Sequence, residues 1–308
     1  MTRVTDTTAT SLAASGAAAR GASPGARLWR ETWRQREFRF GLIVILLLVA
    51  ASILVPLLTG IDPGKMQIKN KYLPPIFLPG GDWTHILGTD HLGRDLFVRS
   101  LIGLQYALGI SFTTVLLMFF FGSAVGLVSG YFGKVVDALL MRLTDAQLSI
   151  PLIILAITLL TVSRPTVPLI IFVLAVSGWP VYARVARGVT LSERNKEYVR
   201  AAHILGASHW RIILTMIAPN ILPPIAFVAV LDLARMMIFE AILGFMSIGV
   251  QPPTPTFGNI IADGRKYLIN AWWIATMPGA FLLLALLSIN LMGASLERAR
   301  NKLFSGQI

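Results

Sequence analysis

Six stretches of this chain are long and apolar enough to cross a lipid bilayer, and no other feature limits its fold as severely. A helical span needs about 20 mainly apolar residues, because each advances about 1.5 Å through a hydrocarbon core about 30 Å thick. Spans are predicted at about residues 41–59, 110–130, 146–162, 167–185, 221–248 and 272–292. An amphipathic lead-in at 97–108 precedes the second, Pro151 is placed to bend the third, and Pro165 and Pro168 mark a tight turn before the fourth. With 55% hydrophobic and only 14% charged residues, a water-soluble domain would expose apolar surface everywhere. The expected fold is all-α, a polytopic membrane protein with six transmembrane helices. Its expected organisation is a disordered tail over residues 1–26, a basic interfacial segment over 27–40, a transmembrane domain over 41–303 and a short tail over 304–308.

The net charge of +12 is what a nucleic-acid binder carries, but here the cations cluster at the ends of apolar runs, which points to membrane topology and to no nucleic acid. Arg27, Arg30, Arg34, Arg36 and Arg39 precede the first span, and Arg184, Arg187, Arg194, Lys196, Arg200 and Arg211 follow the fourth. Arg298, Arg300 and Lys302 follow the sixth, so an even span count puts all three basic segments, and both termini, on the cytoplasmic side. The outward loops are less clean, holding Lys65, Lys69, Lys71, Arg94, Arg99, Arg265 and Lys266. The first apolar run begins near residue 40 and is span-length, which suits an uncleaved anchor better than a signal peptide. Trp29, Trp33 and Phe40 alternate with arginines, either as an interfacial helix on anionic lipid or as a flexible basic linker, the former being preferred.

The absence of cysteine removes disulfides, iron–sulfur clusters and thiolate zinc sites, and no cofactor is implied. No Gly-x-x-x-x-Gly-Lys-[Ser/Thr] occurs, so the chain is expected not to bind ATP by the P-loop route and not to be an enzyme, with any ATP hydrolysis on a partner. An ion-coupled secondary transporter is the less favoured alternative, because no internal repeat of broken helices is visible. An intramembrane enzyme lacks a histidine–carboxylate cluster or a Gly-x-Ser-x-Gly.

Among the inward segments, 192–223 carries an ordered pattern. Ser192 is predicted to cap a short helix with Glu193 in its first turn and Tyr198, Ala201, Ala202 and Leu205 on its apolar side; Gly206 stops it. Ala207 and Ser208 start a second helix running to Ile217, ahead of Pro219. The run Glu197-Tyr-Val-Arg-Ala-Ala-His-Ile-Leu-Gly-Ala-Ser, followed by Pro219-Asn220 and Ile221-Leu222-Pro223, resembles the coupling loop of permease subunits in binding-protein-dependent ABC importers. Ala201, Ala202, Gly206 and Pro219 match that pattern in spacing, whereas Arg200 stands where its first glutamate stands, and Met216 and Ala218 replace an isoleucine and a leucine.

Two outward segments narrow the resemblance to the dipeptide, oligopeptide and nickel branch, and to its C-type permease. These are His85-Ile-Leu-Gly-Thr-Asp-His-Leu-Gly-Arg-Asp and Gly249-Val-Gln-Pro-Pro-Thr-Pro-Thr-Phe-Gly-Asn, the latter preceded by Glu240-Ala241 and Gly244-Phe245. The resemblance implies a bacterial inner-membrane permease for di- or oligopeptides, with nickel, opines, glycans or another small solute as alternative cargo. It also implies a B-type permease as heterodimer partner, two ATPase subunits and an extracytoplasmic solute-binding protein, besides the membrane lipid itself. Glu197, Arg200, Ala201, Ala202, Gly206, Ala207, Ser208 and Pro219 then form the ATPase-coupling element.

On the outer side, Gly88 and Gly93 permit tight turns and Asp90, Arg94, Asp95 and Arg99 are able to cross-link the loop, either to present a surface to a binding protein or to tie the loop to its own bundle. Gln251, Pro252 and Pro253 belong to a proline-stiffened rim or gate. His85 and His91, six apart without a third ligand, make a poor metal site. At membrane depth, Asp232 and Arg235 share a helix face, forming an internal ion pair or lining a water-filled path, with the pair preferred; Glu240 lies further outward.

Overall fold

The computed structural model describes residues 24–162 and 165–304. Residues 1–23 of the tail expected over 1–26, and the last four residues, lie outside them. Among the described residues the chain is helical, apart from loops and an isolated antiparallel bridge between Thr89 and Asp95. The helices are α1 (Pro24–Arg34), α2 (Arg36–Thr59), α3 (Leu96–Phe132), α4 (Lys134–Leu148), α5 (Leu152–Thr161), α6 (Val167–Glu193), α7 (Glu197–Ile204), α8 (His209–Phe245), α9 (Phe257–Gly264) and α10 (Trp273–Phe304).

Five of these, α2, α3, α6, α8 and α10, are long and apolar enough to cross a membrane, and the sixth candidate is the pair α4 and α5, bent by 81°. The third span, expected over 146–162 with a bend at Pro151, is a broken element whose first arm begins already at Lys134. The break falls at Ser149–Pro151, where the missing proline N–H interrupts the helical ladder. The amphipathic lead-in and second span are one helix of 37 residues, about 55 Å long at 1.5 Å per residue. Its start is fixed by Asp95, whose side chain accepts a hydrogen bond from the Val98 N–H. At the N-terminus Pro24–Ala26 already belong to α1, and the basic segment divides at Gln35, which is extended, so that Arg36 onward continues into the first span.

The bundle is held at its centre by α3 crossing α6, with α8 packed on both. Gly122, Gly126 and Gly130 form the crossing surface of α3. A methyl at Gly122 would stand 2.5 Å from the Trp179 carbonyl and 2.6 Å from Tyr182 Cβ, and one at Gly126 would strike the Ala183 carbonyl. This is the small-residue spacing that lets helix backbones touch in lipid. Around it Ile110, Met118, Leu174, Tyr182, Ile212, Ile213 and Met236 are buried. A second cluster, including Leu104, Met237, Phe257 and Ala285, joins α9 and α10 to the bundle. The outward faces carry exposed Leu46, Leu47, Leu57, Phe120 and Phe172, an apolar surface suited to hydrocarbon.

Candidate functional site

The elbow between α6 and α8 is built differently from its sequence expectation. Ser192 and Glu193 lie in the last turn of α6, and Lys196, extended, precedes α7. The buried face of α7 is Val199 and Ala202, while Ala201, Ile204 and Leu205 point away from the bundle, with Leu205 85% and Ile204 86% exposed. Gly206 takes φ +79, a left-handed conformation that costs a glycine nothing, and turns the chain. Ser208 Oγ then accepts from the Arg211 N–H to start α8, which continues unbroken past Pro219 through a π-helical turn at Ile212–Ile217. The expected separate second helix is therefore the first part of the fifth span, and elbow and span form one lever.

Three sets of contacts hold that lever. Glu193 accepts from Tyr198 Oη at 2.6 Å and Lys196 Nζ at 2.6 Å, and Asn220 donates to the Tyr198 hydroxyl at 3.1 Å and to the Met216 carbonyl at 2.8 Å. Burial and the adjacent Glu193 carboxylate push the Tyr198 phenol up to about 12. On the other side, Tyr131 at the end of α3 meets His209 Nδ1 at 2.8 Å and His203 Nε2 at 3.2 Å, and Arg194 donates to the carbonyls of Gly130 and Tyr131. Val199 and Ala202 with Ile212, Ile213 and Ile217 pack into the central core, against which Ala207 also rests. Glu197, Arg200, Ala201, Gly206, Ser208 and Pro219 are exposed. Trp210 and Leu214, 61% and 62% exposed, extend the apolar surface begun by Ile204 and Leu205.

The loop between α2 and α3 folds around Asp90. Arg94 Nε donates to Asp90 Oδ2 at 2.6 Å, Arg99 Nε stands 3.7 Å from the same oxygen, and Asp90 Oδ1 accepts from the amides of Leu92 and Arg94. Asp95 caps α3 with one oxygen and holds His85 Nδ1 at 2.7 Å with the other. Asp90, Arg94, Asp95, Arg99 and His85 are all buried, and Gly93, at φ +75, passes against the Gln67 carbonyl. The loop is tied to the segment around α9 by Arg94 Nη2 to Asp263 Oδ2 at 3.4 Å, by His91 stacked on Tyr267 and by Trp273 Nε1 donating to the Thr89 carbonyl. Gln251 folds back on the Ser247 and Gly249 carbonyls, while Pro252 and Pro253 are exposed. Asn259 fixes this rim by donating to the carbonyls of Val250 and Thr254 and by closing a reciprocal cap with Thr256.

Within the bundle, Asp232 Oδ1 lies 3.1 Å from Arg235 Nε, and Asp232 is buried while the Arg235 side chain is 43% exposed. Glu240 is buried, with both carboxylate oxygens lacking a hydrogen-bond partner. The structure thus divides the expected site residues among three places: an elbow, an outer charged loop with its rim, and α8.

Tyr131, His209 and Asp263 were absent from the sequence reading, and His203, Asn220 and Asn259 stood in it only inside quoted motifs, without a role. Tyr131, His203, His209 and Asn220 brace the elbow, and Asp263 and Asn259 hold the segments around α9; nothing in local periodicity marks such partners across distant positions. The glycines at 122, 126 and 130 were missed although their four-residue spacing was a readable signal.

The sequence matches the family described as the binding-protein-dependent transport system inner membrane component over residues 122–302, and the N-terminal transmembrane domain of oligopeptide transport permease C over residues 23–75. Among its relatives, a dipeptide transport system permease protein of Haemophilus influenzae is 34% identical, covering 90% of this chain and 94% of its own length. A probable D,D-dipeptide transport system permease protein of Escherichia coli is 36% identical, covering 82% of each chain. In fold, it is similar to a chain of the methionine ABC transporter MetNI in an inward-facing conformation, with a TM-score of 0.53 and 22% identity over 67% of this chain and 95% of that one.

Proposed function

We propose, for a chain that belongs to the family of inner membrane components of binding-protein-dependent transport systems, that peptides are its cargo and that the elbow at 192–223 receives its ATPase. The chain is a multi-pass permease subunit of an ABC importer in the bacterial inner membrane. Peptide cargo is supported by the relatives, which are named as dipeptide and D,D-dipeptide permeases.

The observation that carries the coupling role is the exposure of Ile204 and Leu205 at the tip of an elbow whose other face, Val199 and Ala202, is buried in the bundle. Large apolar side chains held rigidly at a polar helix–turn–helix are partner-facing surface. Because α7 leads through Gly206 directly into α8, displacement of this tip moves a span. In this reading the elbow and both termini are cytoplasmic, in keeping with the arginines and lysines around them. Two ATPase subunits supply the hydrolysis for which this chain has no P-loop, and a B-type permease completes the translocation unit. The outer loop around Asp90 and the rim at Gln251, Pro252 and Pro253 face a peptide-loaded binding protein.

Deleting Arg200–Gly206 is expected to leave membrane insertion intact and to abolish co-purification with the ATPase. An ATPase that still co-purifies would remove the coupling assignment. Uptake of labelled di- and oligopeptides, compared with and without this gene, tests the cargo; unchanged uptake would exclude peptides.

A further inference from the structure

Arg235 sits at membrane depth, about 25 Å along α8 from Ala218 by the 1.5 Å rise of a helix. Its side chain is nonetheless 43% exposed on the outside of the chain. A guanidinium at that depth does not face hydrocarbon; it meets water, a counter-charge or another subunit. Its intramolecular partner satisfies it only in part. Asp232, one turn back, stands with Oδ1 3.1 Å from Nε as an ion pair, and no other carboxylate lies in ion-pairing range among the described residues. The remaining N–H donors form the planar fork that matches a carboxylate. Around it the same stripe of α8 presents the half-buried Leu231 and Ile242 and the exposed Ile238, an apolar wall with one cationic point.

We propose that this stripe lines the cargo path and that Arg235 receives the terminal carboxylate of a peptide in transit. The inference rests on the peptide reading above. Asp232 is buried and on the Nε side, so it neutralises Arg235 when the path is empty and leaves the Nη edge to the cargo. The compensation also keeps the grip weak, as a path requires, since a ligand held tightly at one point does not leave. A bare cation there would trap the peptide; a neutral residue would give a carboxylate no counter-charge in a low-dielectric passage.

The chain contains no cysteine, so Arg235→Cys introduces a single thiol into this subunit of the reconstituted importer, with the partner subunits made cysteine-free. The thiol is expected to react with an anionic, membrane-impermeant methanethiosulfonate during ATP hydrolysis and to be protected by excess dipeptide. Phe120→Cys on the lipid face is expected to stay unreacted. In proteoliposomes, Arg235→Gln is expected to slow uptake of a dipeptide with a free carboxylate about tenfold more than uptake of its C-terminally amidated form, with Arg235→Lys partly restoring the difference. A thiol inaccessible throughout the cycle, or equal losses for both peptides, would overturn the assignment and give Arg235 to the subunit interface. If the wild-type importer carries neither peptide, the cargo reading fails and this role with it. A wild type that carries peptide beside an indifferent Arg235→Gln removes this inference alone.

Discussion

Arg187 grips Asp137 with two parallel hydrogen bonds, Nε to Oδ1 at 2.5 Å and Nη2 to Oδ2 at 2.6 Å, and so ties α4 to α6. Ser129 Oγ donates to the same Oδ1, bringing α3 into the junction. This fork closes the bundle on the side where α4 turns away from α3 at Gly133, and it anchors a helix with little else to bury: Thr144 is its one buried residue.

Asp137→Asn keeps the volume and loses the charge, leaving Arg187 half-paired. The expected loss is about 1 kcal/mol, below the usual range for a charged hydrogen bond because Arg187 is partly exposed. A double-mutant cycle with Arg187→Gln, read by thermal unfolding in detergent, is expected to show coupling; strictly additive losses would mean that the fork contributes nothing.

The α3–α6 crossing is expected to be far less tolerant. Gly126→Leu drives a side chain into the Ala183 carbonyl and the Ala186 Cβ, both on a buried helix, so relief requires the helices to part. The expected cost exceeds about 3 kcal/mol, the upper range for overpacking a tight interface. The variant should not survive purification, whereas Gly109→Leu, whose Cβ meets nothing within 4 Å, should purify as wild type. Equal yields of the two would refute the close-approach account.

Span positions were legible because the cost of burying polar backbone in lipid is written into runs of apolar residues. Gly206, Ser208 and Asp90 were legible for a related reason, since turns and caps demand particular side chains. What escaped is what distance in sequence hides. Nothing local announces that Glu193 ends one helix instead of starting another; the decision belongs to Tyr198, Lys196 and Asn220, which converge on its carboxylate. Likewise the inward face of α7 follows the core it packs on, so Val199 and Ala202 are buried and Leu205 is not. Arg99 and Asp90, nine residues apart across a helix start, meet only because Asp95 begins α3 between them.

Asp90 is the hub of the loop between α2 and α3, so Asp90→Asn is expected to be more damaging than either arginine change. Two buried guanidiniums would lose their shared carboxylate and Arg99 would keep no carboxylate partner, a burial of charge costing about 3–5 kcal/mol. Arg94→Met together with Asp90→Leu removes part of the charge with its partner and should recover some of that loss. Protease nicking within residues 60–95 of the membrane-embedded protein reads the outcome. A loop that stays protected in Asp90→Asn would show that its fold rests on the Trp273 and His91 contacts instead.

Tyr198→Phe tests whether the elbow is braced as a rigid lever. The phenol donates to Glu193 and is raised from its ordinary value to about 12 by burial and by that carboxylate. Only the neutral phenol can donate, so the stabilisation is fully present below the unfolded phenol's pKa of about 10 and fades as pH rises toward 12. Removing the hydroxyl should cost about 1 kcal/mol, and that difference from wild type should be constant between about pH 7 and about pH 9 and shrink above it. Unfolding midpoints of the two proteins across that range check the sign, and a difference already varying near neutral pH would assign the effect to another group. The functional consequence follows from stiffness. Under the coupling role proposed for the elbow, a loosened α7 absorbs part of a displacement applied at Ile204 and Leu205 before it reaches α8, so the variant should leave ATP hydrolysis by the importer near the wild-type rate while moving less cargo per ATP. Equal losses of hydrolysis and transport would mean that Tyr198 serves ATPase docking instead of transmission.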